Sequence, residues 1–156
     1  MTLVYIAVGS NLGKREENIR RAKDCLSREP EVQIVRESSL YETEPVGGPF
    51  QGKYFNAVWE CETSLTARGL LVVLLAIEKR LGRERSVKNA PRIIDLDILF
   101  YGSSVIEEKG LRIPHPRFQE RFFVLEPLCE LIPEWRDPVS HKMITDLLED
   151  CREKNK

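Results

Sequence analysis

The segment Pro91-Arg92-Ile93-Ile94-Asp95-Leu96-Asp97-Ile98-Leu99-Phe100 sets two carboxylates two residues apart in a run otherwise built like a buried strand. Side chains alternate across a strand, so Asp95 and Asp97 are expected on one face and Ile94, Leu96, Ile98 and Phe100 on the other. Parallel carboxylates repel each other and are costly to bury unpaired. A hard cation, magnesium by its chemistry, is the simplest partner between them and a phosphate. The same pattern also suits an edge strand with one solvated face, so the flanking sequence has to decide.

Residues 79–92 hold six basic side chains (Lys79, Arg80, Arg83, Arg85, Lys88, Arg92) against one acidic residue, Glu84. Arginine forks pair bidentately with phosphate oxygens and lysine adds a point charge, so such a run can neutralise a triphosphate. A solvated basic loop is the plainer alternative. The neighbouring Asp95 and Asp97 favour an anion held partly through metal.

A chain of 156 residues is the size of one domain and can bury a core without staples, so a single domain over residues 1–156 is expected. Lys plus Arg number 24 and Asp plus Glu 25, a formal charge of −1, which gives no global attraction to nucleic acid or an acidic membrane. Cys25, Cys61, Cys129 and Cys151 form no Cys-x-x-Cys pair, and the residues before Leu3 are not expected to be a secretory leader. Free thiols in the cytoplasm are therefore expected. The longest apolar runs fall far short of a membrane span. A monomer is expected, a homodimer remaining open.

Residues 3–8 read as a buried strand ended by Gly9-Ser10-Asn11, after which Ile19, Ala22 and Leu26 recur at helical spacing. A second strand falls within residues 32–40. Residues 54–63 form a third, in which Phe55, Ala57, Trp59 and Cys61 should face the core, with Tyr54, Asn56, Val58, Glu60 and Glu62 opposite. Thr66 is placed to cap a helix carrying Leu70, Leu74, Ile77 and Leu81, which Gly82 should stop. The strand bearing Asp95 and Asp97 completes the order strand, helix, strand, strand, helix, strand. That order predicts an α+β domain with a ferredoxin-like (split βαβ) core and additional C-terminal elements. Ser140 is placed to cap a last helix with Ile144, Leu147, Leu148 and Cys151 on its apolar face, while residues 113–116 are too proline-rich for a regular element. The loops at 44–53 and 83–91 have the composition of mobile lids.

Several stretches together resemble the hydroxymethyl-dihydropterin pyrophosphokinases of folate synthesis. They are Tyr5-Ile6-Ala7-Val8-Gly9-Ser10-Asn11-Leu12-Gly13, Leu40-Tyr41-Glu42-Thr43-Glu44-Pro45, Tyr54-Phe55-Asn56-Ala57, Gly82-Arg83-Glu84-Arg85, the Pro91 to Leu99 run and Ile113-Pro114-His115-Pro116-Arg117. The resemblance implies transfer of pyrophosphate from ATP to the hydroxymethyl group of a reduced pterin, with release of AMP. It implies that Asp95 and Asp97 hold two magnesium ions. Arg83, Arg85, Lys88 and Arg92 would then surround the ATP phosphates, with Arg83 and Arg92 in catalytic roles. Glu78, His115 and Arg121 match further nucleotide contacts. Without the resemblance, His115 between two prolines reads as a rigid turn and Glu78 as a solvated helix end.

A pterin is flat, polar at its edge and aromatic on its faces, so its pocket needs ring platforms and an amide that both donates and accepts. Tyr54 and Asn56 share a strand face, and the resemblance adds Phe123 as a second ring, with Thr43 and Val46 at the pterin edge. Phe123 otherwise reads as a core aromatic beside Phe122. The chain departs from its resemblance at Lys88-Asn89-Ala90, where many members carry Arg-Trp-Gly, and at Glu44, a position often proline. The rivals are a nucleotide-binding module without catalysis, which would not need both aspartates, and a metal-dependent nuclease. A nuclease would want a broad basic groove that the net charge does not suggest.

Overall fold

The computed structural model describes residues 1–43, 53–82 and 93–155. Its elements in order are β1 (Thr2–Ser10), α1 (Arg15–Ser27), β2 (Val32–Glu37), β3 (Tyr41–Thr43), β4 (Tyr54–Thr63), α2 (Ala67–Arg80), β5 (Asp95–Tyr101), β6 (Ile106–Glu108) and β7 (Leu111–Ile113). A 3₁₀ turn over Phe118–Glu120 and the helices α3 (Phe122–Leu131) and α4 (Ile144–Lys154) follow. The main sheet runs β2-β4-β1-β5, all antiparallel, which is the ferredoxin-like order expected from the sequence. The short β3 pairs with the start of β4, continuing the edge that β2 begins.

Helices α1 and α2 lie on one face of this sheet. Ile19, Ala22 and Leu26 of the first and Leu70, Leu74 and Ile77 of the second bury against Val4, Ile6, Val8, Ala57, Trp59, Cys61, Leu96 and Ile98. Thr66 caps α2 as expected, its hydroxyl accepting Gly69 N–H at 3.0 Å, and Gly82 ends the turn at φ +94°.

The second face is also covered, because α3 and α4 bring Val124, Leu125, Leu128, Ile144, Leu147 and Leu148 onto Tyr5, Val58, Leu99 and Phe100. The set of β4 residues opposite Phe55 and Trp59 is therefore not simply solvated. Asn56, Val58 and Glu60 are all buried. Glu60 is held there by partners: the Tyr5 hydroxyl donates to Oε2 at 2.5 Å, and Arg36 donates Nε to Oε1 at 3.0 Å and Nη2 to Oε2 at 2.9 Å. Arg36 Nη2 also reaches Leu131 O at 3.0 Å, fastening the end of α3 to the sheet.

Three expectations need correction. Phe100 does not share a face with Ile94, Leu96 and Ile98: the β1–β5 register slips between Tyr5 and Ile6, a bulge that turns both Leu99 and Phe100 into the second core. Ser140 does not cap the last helix, which starts at Ile144. Buried Asp137 organises that turn instead, its carboxylate accepting Val139 N–H at 3.2 Å and Ser140 N–H at 3.1 Å. Strand β1 does not stop at Val8 but runs on through Gly9 and Ser10. The loop expectations for 44–53 and 83–91 lie outside the described residues except at Lys53. Among those described, no helix is long and apolar enough to cross a membrane.

Candidate active site

At the end of the sheet where β1 finishes and β4 and β5 begin, one row crosses four strands: Tyr41 pairs with Asn56, Asn56 with Gly9, and Gly9 with Asp95. The next row along pairs Val58 with Ala7 and Ala7 with Asp97. Direct antiparallel partners point the same way, so Asn56, Asp95 and Asp97 share one face, and the alternation of β4 adds Tyr54 to it. Across two strand spacings, Asn56 and Asp95 are roughly 10 Å apart along the sheet. Both aspartates are partly buried at the start of edge strand β5.

The amide of Asn56 is oriented before any ligand arrives. Its Nδ2 donates to Thr43 Oγ1 at 2.6 Å, which leaves one amide hydrogen and the carbonyl oxygen for other partners. Phe123 lies in the first turn of α3 on the same side of the sheet, partly buried against the second core and followed directly by its buried members Val124 and Leu125. Arg121, at the N-cap of that helix, lies with its guanidinium 5.8 Å from the Phe123 ring centroid.

His115 follows the cis peptide Ile113–Pro114 and is held by its own backbone, its N–H donating to Leu99 O at 3.1 Å. Burial pushes its pKa down to about 4, helped by the charges of Arg121 and Arg117 and opposed by that of Asp95. The neutral ring accepts Arg117 N–H on Nδ1 at 3.3 Å, which leaves the proton on Nε2 as a donor. Arg121 and Asp95 thus both lie within electrostatic reach of His115.

Glu78 is not a solvated helix end. It is 2% exposed, and its Oε2 accepts the backbone N–H of Leu96 at 2.7 Å, between the two aspartates in sequence but from the opposite face of β5. In this position it braces the strand that carries Asp95 and Asp97. Val46, Arg83, Arg85, Lys88 and Arg92 lie outside the described residues.

Gly9 was legible in the sequence only as a strand end, yet it occupies the centre of the row, and a glycine inside a buried strand signals close approach of a neighbour. Asn18 carries no comparable signal in the sequence. Its Nδ2 donates to Leu12 O at 2.8 Å and Ser10 Oγ at 3.3 Å, tying the turn after β1 to α1. Among the described residues no group of three or more His, Cys, Asp or Glu could hold a metal unaided.

Fold and site define a ferredoxin-like α+β domain that gathers an amide, a tyrosine and two aspartates at one end of a sheet face. Residues 5–133 match the family described as 7,8-dihydro-6-hydroxymethylpterin-pyrophosphokinase (HPPK). The chain belongs to this family. It is 45% identical over 129 residues to the 2-amino-4-hydroxy-6-hydroxymethyldihydropteridine pyrophosphokinase of Bacillus subtilis, across 83% of this chain and 77% of that one. To the Pseudomonas aeruginosa protein of the same name it is 40% identical over 148 residues, across 95% and 91%. Among solved structures, wild-type Plasmodium falciparum HPPK-DHPS with pterin and p-hydroxybenzoate superposes with a TM-score of 0.77 at 19% identity, covering 99% of this chain and 43% of that one. This last likeness concerns the fold, and the chain spans less than half of that longer protein.

Proposed function

We infer that the chain performs its family's reaction in folate biosynthesis, moving pyrophosphate from ATP to the hydroxymethyl group of 6-hydroxymethyl-7,8-dihydropterin and releasing AMP. The observation that carries this reading is the row Asn56–Gly9–Asp95. It sets an amide suited to a pterin edge and a carboxylate suited to a phosphate-bound cation on one face, two strands apart. Family membership supports the same chemistry.

The donor set fits magnesium. Two hard carboxylates on one face leave most coordination positions to water and phosphate oxygens, as magnesium prefers beside nucleotides. Asp95 and Asp97 would hold it, two ions being the expectation, and when bound it supplies positive charge against the attacking and leaving oxygens. The remaining work is positioning, the main protein contribution to phosphoryl transfer. Asn56 would read the pterin edge with Thr43 fixing its amide, while Tyr54 and Phe123 offer ring faces. Neutral His115 would donate Nε2–H to a phosphate oxygen and Arg121 would add its charge. Arg83, Arg85, Lys88 and Arg92 complete the proposed phosphate cradle, and Val46 the pterin edge. Glu78 supports the metal strand from beneath. Four free thiols suit a cytoplasmic location.

Incubation with ATP, magnesium and hydroxymethyl-dihydropterin should yield AMP and pterin diphosphate in equal amounts. ATP binding with no AMP formed would leave the nucleotide-binding module as the better reading. Cleavage of nucleic acid under the same conditions would favour the nuclease.

A further inference from the structure

The three-residue strand β3 is held by a different element at each of its side chains. The Tyr41 hydroxyl donates to Glu130 Oε1 of α3 at 2.6 Å. The Glu42 carboxylate meets Arg15 Nη2 of α1 at 2.9 Å, and Thr43 Oγ1 accepts Asn56 Nδ2 of β4 at 2.6 Å. So short an edge strand has few ladder bonds of its own, and its place depends on these side chains.

Glu130 is the most heavily engaged of the three outer partners. Besides the Tyr41 hydroxyl, its carboxylate accepts Ser39 N–H at 3.0 and 3.2 Å and Ser39 Oγ–H at 3.3 Å, at the bend between β2 and β3. Hydrogen bonds to an ionised carboxylate are stronger than neutral ones. The Tyr41 pKa is pushed up to about 12, first by this bond and then by burial and the charges of Glu130 and Glu126, so the hydroxyl stays a donor across the neutral range. Phe123 precedes Glu130 by about two helical turns and therefore lies on the same side of α3. The bond thus joins the helix that carries Phe123 in its first turn to the strand whose Thr43 orients Asn56.

We propose that Glu130 and Tyr41 are positioning residues for the pterin, fixing the spacing between the Phe123 ring and the Asn56 amide without entering the reaction. This rests on the reading of Asn56 and Phe123 as pterin groups given above. The nucleotide side should be indifferent to the pair, because Asp95, Asp97 and His115 are anchored through β1, β5 and Leu99 instead.

The test is calorimetric titration of hydroxymethyl-dihydropterin into protein alone and into protein holding a non-hydrolysable ATP analogue with magnesium, and of that analogue by itself, for wild type, Tyr41→Phe, Glu130→Ala, Glu130→Gln and the Tyr41→Phe/Glu130→Ala double variant. Loss of one charge-assisted bond should weaken pterin binding about five- to tenfold in Tyr41→Phe and Glu130→Ala, with nucleotide affinity unchanged. The double variant should be no weaker than the worse single one, since both remove the same contact. Glu130→Gln, which keeps an acceptor oxygen, should be intermediate, and with Tyr41→Phe it carries the test should Glu130→Ala fail to fold. Wild-type pterin binding with unaltered variants overturns the positioning role alone. A parallel loss of pterin and nucleotide affinity that tracks a lowered Tm overturns it too, as mere structural damage. No pterin binding by the wild type with nucleotide bound overturns the positioning role together with the functional reading beneath it.

Discussion

Gly9 lies opposite Asn56 in the β1–β4 ladder, so close to its side chain that a Cβ at position 9 would stand 2.9 Å from Asn56 Oδ1 and 3.3 Å from Tyr54 Cδ1. An alanine there must push the amide aside, and that amide is already tied to Thr43. Gly9→Ala is therefore expected to lower pterin affinity roughly tenfold, the scale of one displaced hydrogen bond, while leaving nucleotide affinity in place. Titration of each substrate separately decides it, and an unmoved pterin affinity would refute the close-approach role.

Asp95→Ala and Asp97→Ala should each lower kcat on the order of 10²-fold or more, as expected for removal of positioned electrostatic stabilisation. Both side chains are only partly buried on an edge strand, so the fold should survive. Steady-state kinetics beside thermal melts would measure both, and near-native turnover in two folded variants would remove the metal assignment.

The depressed pKa of His115, about 4 against an ordinary 6.5, makes a statement about stability. Below pH 6.5 the unfolded chain takes up a proton that the folded ring refuses, so this residue's contribution falls as pH falls, through the window from 6.5 down to 4. Between pH 7 and pH 5 the wild type should lose up to about 2 kcal/mol on this account, and His115→Gln should lack that part of the slope. Urea unfolding of both proteins at the two pH values tests it. Equal losses would place the pH sensitivity elsewhere.

Arg36→Met should destabilise the protein far from the site. Glu60 is buried and would keep only the Tyr5 hydroxyl, and Leu131 O would lose its donor. Breaking a buried pair from one side is costly, but Arg36 is about half exposed and partly screened by water, so about 2 kcal/mol is expected. The midpoint and slope of urea unfolding at pH 7 would show it. A change below about 0.5 kcal/mol, ordinary for surface substitutions, would mean the pair is solvated in effect.

Parity and period carried most of what the sequence disclosed. Alternation over Tyr54–Thr63 put Tyr54 and Asn56 on one side, and the 3.6 period located α1 and α2, because in each case one face packs against a core of similar residues. Helix α3 stayed hidden because Pro127 sits inside it, removing a backbone donor where periodicity alone would have continued. The hairpin of β6 and β7 is too short for a period to register. Glu78 could not be read because its partner is a backbone N–H, which leaves no residue-type signal. The tie between Thr43 and Asn56 depends on a strand pairing that no local pattern announces.

The slip at Leu99 divides the labour of β5. Before it, the odd-numbered Asp95 and Asp97 share one face and the even-numbered Ile94, Leu96 and Ile98 pack in the first core; from it on, Leu99 and Phe100 both serve the second core. One extra residue acts as a phase shift, insulating the aspartate end from the hydrophobic end. Phe100 is thereby free to pack in the second core, its ring centroid 4.3 Å from that of Trp135, while Asp95 and Asp97 keep the parity of the strand before the slip.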